Sequence, residues 1–486
     1  MRFARLVVPA LALALLLPGR APAQSSAPPT PNAPGQAAPG YDPSAPQALV
    51  PQDTDAKMEA AIAAQVAKAQ AKRRAFLCKN ARDPRKRPFE CRTPWYDDIG
   101  KDVGRAWSWM TDEATRFGIQ PSVSYTAQVM TNTSGTTPTG PQELVYAGQV
   151  NGSVNVDLHR LARVPGLSFY VGATWGTGGE FAVGPQGNFF APASASAGTG
   201  FWLGEMYLQQ TLLKGNLTIA AGRLGAGAVF ATLPAFGNYL NAAINANPAA
   251  LGINLPSFPP PPPGSEWGLQ AIWFPTGNWQ VAAGVYNNNL QSAAGADNGA
   301  DFKWNEGNRG VLGIGQVSYL LFQGATDDEG PPGQYAIGGY YDGNYFPVLP
   351  NGTVNATGNW GLYAMFQQAV FQVGGTDSQI GLSAWGAVTW SPKTDVNTMP
   401  WSFMAGLSYQ GLIPGRSSDV LSLGWSTGRV SPAIPGVTAE TVLELNYLYN
   451  VTGWLSVTPD FQYVWRPGGL DVVGSAIAGV QLVVTL

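Results

Sequence analysis

The stretch Trp454-Leu455-Ser456-Val457-Thr458-Pro459-Asp460-Phe461-Gln462-Tyr463-Val464-Trp465-Arg466 alternates with period two. From 455 the odd positions read Leu, Val, Pro, Phe, Tyr, Trp; the even ones read Ser, Thr, Asp, Gln and, after Val464, Arg. A period of two puts the sets on opposite faces of an extended strand. One face is apolar and ends in aromatic residues, and the other carries the charge. The pattern recurs. In 438–450, Ala439, Thr441, Leu443, Leu445, Tyr447 and Tyr449 oppose Glu440, Glu444 and Asn446. In 201–213, Trp202, Met206, Leu208 and Leu212 oppose Glu205, Tyr207, Gln209 and Thr211. Half-buried soluble sheets alternate as well. Whole apolar faces capped by Trp and Tyr instead predict an all-β barrel with lipid outside and water inside.

Composition agrees. The 486 residues carry 27 Lys/Arg and 30 Asp/Glu, 12% charged, with 60 Gly, 40 Pro and 11% aromatics. That charge density is about half of the usual soluble share. No apolar run reaches the roughly 18 residues of a membrane-spanning helix. A single His159 and two cysteines leave no set of residues for a metal centre or a His-based nucleophilic triad, so no catalytic site, metal or cofactor is implied. Nothing points to nucleic acid.

Charge also divides the chain. Residues 24–118 hold 14 Lys/Arg and 11 Asp/Glu in 95 positions, whereas 119–486 hold 10 and 19 in 368, a net −9. Arg2 and Arg5, the apolar stretch 6–17 and Ala21-Pro22-Ala23 predict a signal peptide over 1–23. Residues 24–52, rich in Pro, Ala, Gln and Ser, read as a flexible leader. Residues 53–118 read as a partly helical periplasmic extension, with Met58, Ile62 and Val66 at helical spacing. In an exported chain Cys78 and Cys91 predict one disulfide closing a small basic loop.

Strands are expected at 119–131, 143–158, 167–177, 201–213, 215–224, 266–274, 277–287, 310–322, 333–343, 357–371, 377–391, 399–412, 416–428, 437–449, 453–465 and 473–485. Sixteen is an even number, and connections after even-numbered strands are mostly short while several after odd-numbered ones are long. Outer-membrane barrels have this parity, with tight periplasmic turns and long external loops. The connection at 323–332 is longer than the rule predicts. The last strand ends in Leu486, where barrels usually place an aromatic.

Sixteen strands leave an open lumen. Parity lines it with Asp157, Glu205, Tyr207, Gln209, Gln316, Tyr363, Gln367, Arg416, Glu440, Glu444, Asn446, Asp460, Gln462 and Arg466. Glu440 and Glu444 face the same way, but on a strand they sit about 13 Å apart, beyond the ~6.5–9.5 Å of an inverting glycosidase pair. The connection 225–265 contains Pro259 to Pro263, so it either folds inward to narrow the pore or covers its mouth. Arg223 falls on the lipid-facing parity, which places it at the outer end of its strand or on a bulge that turns it inward.

Several stretches together resemble the carbohydrate-selective porins of the OprB type. They are Phe117-Gly118-Ile119 with Asn132-Thr133-Ser134-Gly135, Asn155-Val156-Asp157-Leu158, Ala221-Gly222-Arg223-Leu224, Gly411-Leu412-Ile413-Pro414-Gly415-Arg416, Glu440-Thr441-Val442-Leu443-Glu444-Leu445-Asn446-Tyr447, and 454–463 with Pro467-Gly468-Gly469. The likeness runs over 95–486. It implies a sixteen-stranded outer-membrane barrel that admits glucose and related sugars, with Arg and Glu at its constriction: Arg223, Glu205, Arg416 and Glu444 here. The expected partners are sugars in transit and outer-membrane lipid; the oligomeric state is open. A general porin for polyols, organic acids or small cations is the alternative. An enzyme is disfavoured, because His159 lies beside Arg160 at a short turn.

Overall fold

The computed structural model describes residues 106–107, 111–135, 144–195, 199–255, 258, 264–288, 298–300, 302, 310–322, 331–373 and 380–486. The expected signal peptide at 1–23, the leader at 24–52, Cys78, Cys91 and most of the 53–118 extension lie outside these residues, as does the proline run 259–263.

Sixteen strands follow in order: β1 Ile119–Ser134, β2 Val145–Asp157, β3 Leu167–Gly178, β4 Gly200–Leu212, β5 Leu217–Leu224, β6 Glu266–Thr276, β7 Trp279–Tyr286, β8 Leu312–Leu321, β9 Gly333–Pro347, β10 Asn355–Gln372, β11 Gly381–Trp390, β12 Trp401–Gln410, β13 Val420–Arg429, β14 Ala439–Asn450, β15 Leu455–Trp465 and β16 Ser475–Thr485. Each pairs antiparallel with its sequence neighbour, and β1 closes on β16 from Ser124↔Thr485 to Ser134↔Ala476. Closure removes both sheet edges, so no row of backbone N–H and C=O groups is left facing hydrocarbon. The expected count of sixteen is met, with boundaries shifted by up to four residues: β13 starts at Val420 and β9 runs on to Pro347.

Alternation holds along the strands. On β15, Phe461 is 46% exposed on the outside while Gln462 beside it is fully buried inside. One reversal comes from a bulge. The β3–β4 register shifts between Val171 and Ala173, so Trp202 pairs with Thr174 and shares its face instead of Met206's. Thr174 bonds the lumen-facing Asn151, which puts Trp202 on the lumen side as well.

One end of the barrel carries short turns, such as the 277–278 link between β6 and β7, and the other carries the long connections 179–199 and 225–265. At the short-turn end Asp157 caps a one-turn helix, Leu158–Ala162, by accepting from His159 N and Arg160 N. Asp157 is therefore used in closing a turn, and His159 is exposed there.

The outward face sets a stability test. Phe461→Arg, near the middle of β15, is expected to destabilise the barrel by about 2–4 kcal/mol, and Trp465→Arg at the strand end by about 0–1 kcal/mol. Urea titration of folding into lipid vesicles measures both.

Candidate functional site

The lumen is not an empty tube, because the described parts of two long connections, 179–199 and 225–265, fold into it. Segment 225–241 crosses from β5 to β15, and its polar groups meet the wall at nearly every second strand. Gly225 N donates to Glu205 Oε1 at 2.9 Å on β4, Ala231 N to Gln316 Oε1 at 3.0 Å on β8, and Ala235 N to Gln367 Oε1 at 2.9 Å on β10. Asn238 Nδ2 reaches Ser408 Oγ at 3.4 Å on β12. Leu240 N and Asn241 N then donate to the two oxygens of Glu444 at 2.6 and 3.0 Å on β14, and Asn241 Nδ2 to Gln462 Oε1 at 2.8 Å on β15. On the return, Asn254 Nδ2 donates to Met399 O at 2.7 Å. The described stretch 225–255 thus narrows the lumen instead of capping its mouth.

The other connection follows the same rule. Phe189 N and Phe190 N donate to Glu440 at 2.9 and 2.8 Å, and Ala195 N to Gln128 Oε1 at 2.8 Å on β1. Ala242 N to Ala191 O, 2.8 Å, ties the two loops together. A buried backbone N–H without an acceptor costs about 1–3 kcal/mol, so these wall side chains decide whether the loops can lie inside.

Apolar seats complete the fit. Tyr239 packs edge-on against the buried Trp385, whose Nε1 donates to the Tyr239 hydroxyl at 3.0 Å. Room for Tyr239 exists because β13 presents glycine: a Cβ on Gly424 would lie 2.5 Å from Tyr239 Cε1.

The expected site residues separate into groups. Glu440 and Glu444 share the lumen face as parity requires, but both are fully buried and occupied by loop amides. Asp460 is nearly buried and accepts from Gln462 Nε2 at 2.8 Å. Arg223 lies at the outer end of β5, just after the positive-φ Gly222, and is buried in the wall, where it donates to Gly299 O, to Leu203 O at 3.1 Å and to Ser265 Oγ at 3.2 Å.

Two arginines are not brought to the lumen. Arg416 was expected to open a strand, but β13 starts four residues later. It sits on the short-turn end, paired with Asp419 through two contacts of 2.7 Å and lying 3.9 Å over the Tyr449 ring. Arg466 follows the last residue of β15 and adopts φ 51°, which reverses the chain and turns it out of the lumen parity.

Tyr207 is different. It stays half-buried on the lumen face and stacks on Tyr170, with ring centroids 5.0 Å apart. Among the described residues, neither loop bonds a side chain of β2 or β3. There Asn151, Ser153, Asn155 and Ser168 remain half-buried, as does Gln209 on β4. Among the described residues, the less covered part of the lumen face therefore lies along the short-turn half of β2–β4, with neutral hydrogen-bonding groups and one aromatic pair, whereas Gln149 and Thr174 nearer the long-connection end are buried. Tyr170 and Asn155 were missed as site residues because parity alone does not distinguish covered wall from open wall. A usable signal for the loop was present: 225–265 contains no charged residue in 41 positions, unlike a chain exposed to water.

Residues 142–486 match the model of the carbohydrate-selective porins, OprB family. The chain belongs to this family. It is similar to Porin B of Pseudomonas aeruginosa, 26% identical over 319 residues, covering 58% of this chain and 67% of that protein. It also resembles two structures of Pseudomonas putida OprB. The high-pH structure matches with a TM-score of 0.70 at 22% identity over 78% of this chain and 97% of that one, and the low-pH structure with 0.52 at 18% identity over 78% and 96%. As an OprB-family member it is a carbohydrate-selective outer-membrane porin, a channel and not an enzyme. In such a barrel the short turns face the periplasm and the long connections the exterior.

The loop clamps make this porin's constriction testable. Glu444→Ala strands the Leu240 and Asn241 amides and is expected to raise single-channel conductance and its low-frequency noise in planar bilayers. Gly424→Leu, which invades the Tyr239 seat, should do the same with every carboxylate intact.

Proposed function

We propose that this porin passes neutral monosaccharides such as glucose by diffusion along the β2–β4 wall. The observation that carries the reading is the half-buried Tyr170–Tyr207 stack beside uncharged Asn, Ser and Gln side chains, opposite a wall whose acids are occupied by loop amides. A pyranose offers hydroxyls around its rim and a flatter C–H face. Amides and hydroxyls replace the rim's water contacts, and a tyrosine ring covers the face. Weak, multi-point contact suits transport, because a solute must leave as readily as it enters.

Glu205 borders this track. It accepts Gly225 N and keeps 7% of its surface accessible, whereas Glu440 and Glu444 are fully covered. We assign it as the one glutamate able to meet a sugar hydroxyl. The chain enters β1 and leaves β16 at the short-turn end, where Leu486 N donates to Val123 O at 2.8 Å. That path supports a periplasmic location for the segment before Ile119.

Glucose titrated against single-channel current in planar bilayers should give saturable block. Tyr207→Ala should weaken that block by about 2- to 10-fold, the scale of one aromatic contact. Equal liposome-swelling rates for glucose and for charged solutes of matched size would overturn the sugar assignment.

A further inference from the structure

The outer surface carries a groove that the channel does not use. Register places it at the exterior end of β13–β15. Trp425 and Trp465 form its walls, while Thr441 and Ala439, which are small, form its floor. It encloses about 440 Å³, within the ~300–1,000 Å³ range of sites that hold small organic molecules. Its body faces hydrocarbon, since Trp425 lies on the same outward parity as Leu423, and its rim lies at the level where the bilayer gives way to headgroups.

Arg466 is one of the residues lining the groove, and Arg429 is register-paired with Ala439 of its floor. Arg429, the last residue of β13, lies on the outward parity and, among the described residues, makes no side-chain hydrogen bond or ion pair. Arg466 is on the other side, with only a 3.9 Å approach of its Nε to the fully exposed Asp471. Its outward direction is built in. Gly468 N donates to the buried Glu440 Oε2 and Gly469 N to Arg466 O at 2.7 Å, which fixes the left-handed turn at Arg466. Such a conformation costs a non-glycine residue about 1–2 kcal/mol, so the lumen clamp holds the guanidinium outside.

We infer that this groove is a specific site for a phosphate-bearing lipid of the outer leaflet, with an acyl chain between the two indoles and the phosphate bridging Arg429 and Arg466. Guanidinium forks match phosphate oxygens in geometry and charge. Two guanidiniums against one carboxylate give the rim a positive balance, and the apolar trough below it excludes a soluble anion as the fitting occupant.

The test uses the full barrel in detergent, with diphosphoryl lipid A as probe and its dephosphorylated form as control. The phosphorylated probe should raise the temperature at which the folded, heat-modifiable band is lost by roughly 5 °C, and the control should not. R429Q/R466Q should weaken binding about tenfold or more, as expected for loss of charge-assisted bonds, while glucose block of the current stays unchanged. Thr441→Trp, which fills the floor and keeps both arginines, should lose the shift too. Absence of a shift in the natural protein, equal stabilisation by the phosphate-free lipid, or an undiminished shift in R429Q/R466Q would each overturn the site.

Discussion

Hydrocarbon offers no hydrogen bonds, so a chain that crosses it in strands must pair every backbone N–H and C=O within itself. Here that requirement is met by β1 closing on β16. With sixteen strands the closed sheet surrounds a lumen too wide for wall side chains to fill. The chain fills it with its own long connections, and this raises the same problem again: loop backbone now lies away from bulk water and needs acceptors. Glu205, Gln316, Gln367, Glu444, Glu440 and Gln128 supply them. The polar inner face is thus partly a scaffold for the loops and only partly a surface for solutes.

Much of this was legible in the sequence. Period-two alternation gave the strand faces and their number, and the alternation of short and long connections told the two ends of the antiparallel barrel apart. What parity does not report is where a strand stops or what covers it. Arg416 and Arg466 both sit at positions that would face the lumen if their strands extended to them. One strand begins at Val420 and the other ends at Trp465, and neither end changes the apolar-polar rhythm. Glu440 and Glu444 were placed on the correct face, yet their partners lie about 200 to 250 residues away in sequence, a separation that no local pattern encodes. The charge-free composition of 225–265 was the available hint that this connection leaves water.

The clamps also alter the electrostatic reading. A net −9 over 119–486 suggests a lumen that repels anions. Glu440 and Glu444 are nevertheless fully covered by the loops they hold, and Asp460 nearly so. A carboxylate facing three N–H donors presents little to a passing solute. The half-buried groups along β2–β4 are amides, hydroxyls and aromatic rings, with Glu205 the one nearly buried carboxylate beside them, so the net charge of the sequence is a poor measure of what this wall presents.

The choice between acid and amide along the wall follows the number of donors to be met. Where one loop amide arrives, the wall offers glutamine: Gln316 to Ala231, Gln367 to Ala235, Gln128 to Ala195. Where several arrive, it offers glutamate. Glu440 takes Phe189, Phe190 and Gly468, and Glu444 takes Leu240, Asn241 and the side chain of Asn446. A carboxylate has two acceptor oxygens and forms bonds roughly twice as strong as neutral ones, but burying its charge is costly unless donors surround it. Three donors meet that condition; one does not. Glu205 breaks the pattern, since among the described residues Gly225 N is its one backbone donor and its surface is not fully closed. A carboxylate under-supplied with internal donors and set beside Tyr207 keeps acceptor capacity that the more deeply clamped acids of β14 have spent on the loops, which is the physical ground for proposing it, and not them, as the glutamate that meets a solute.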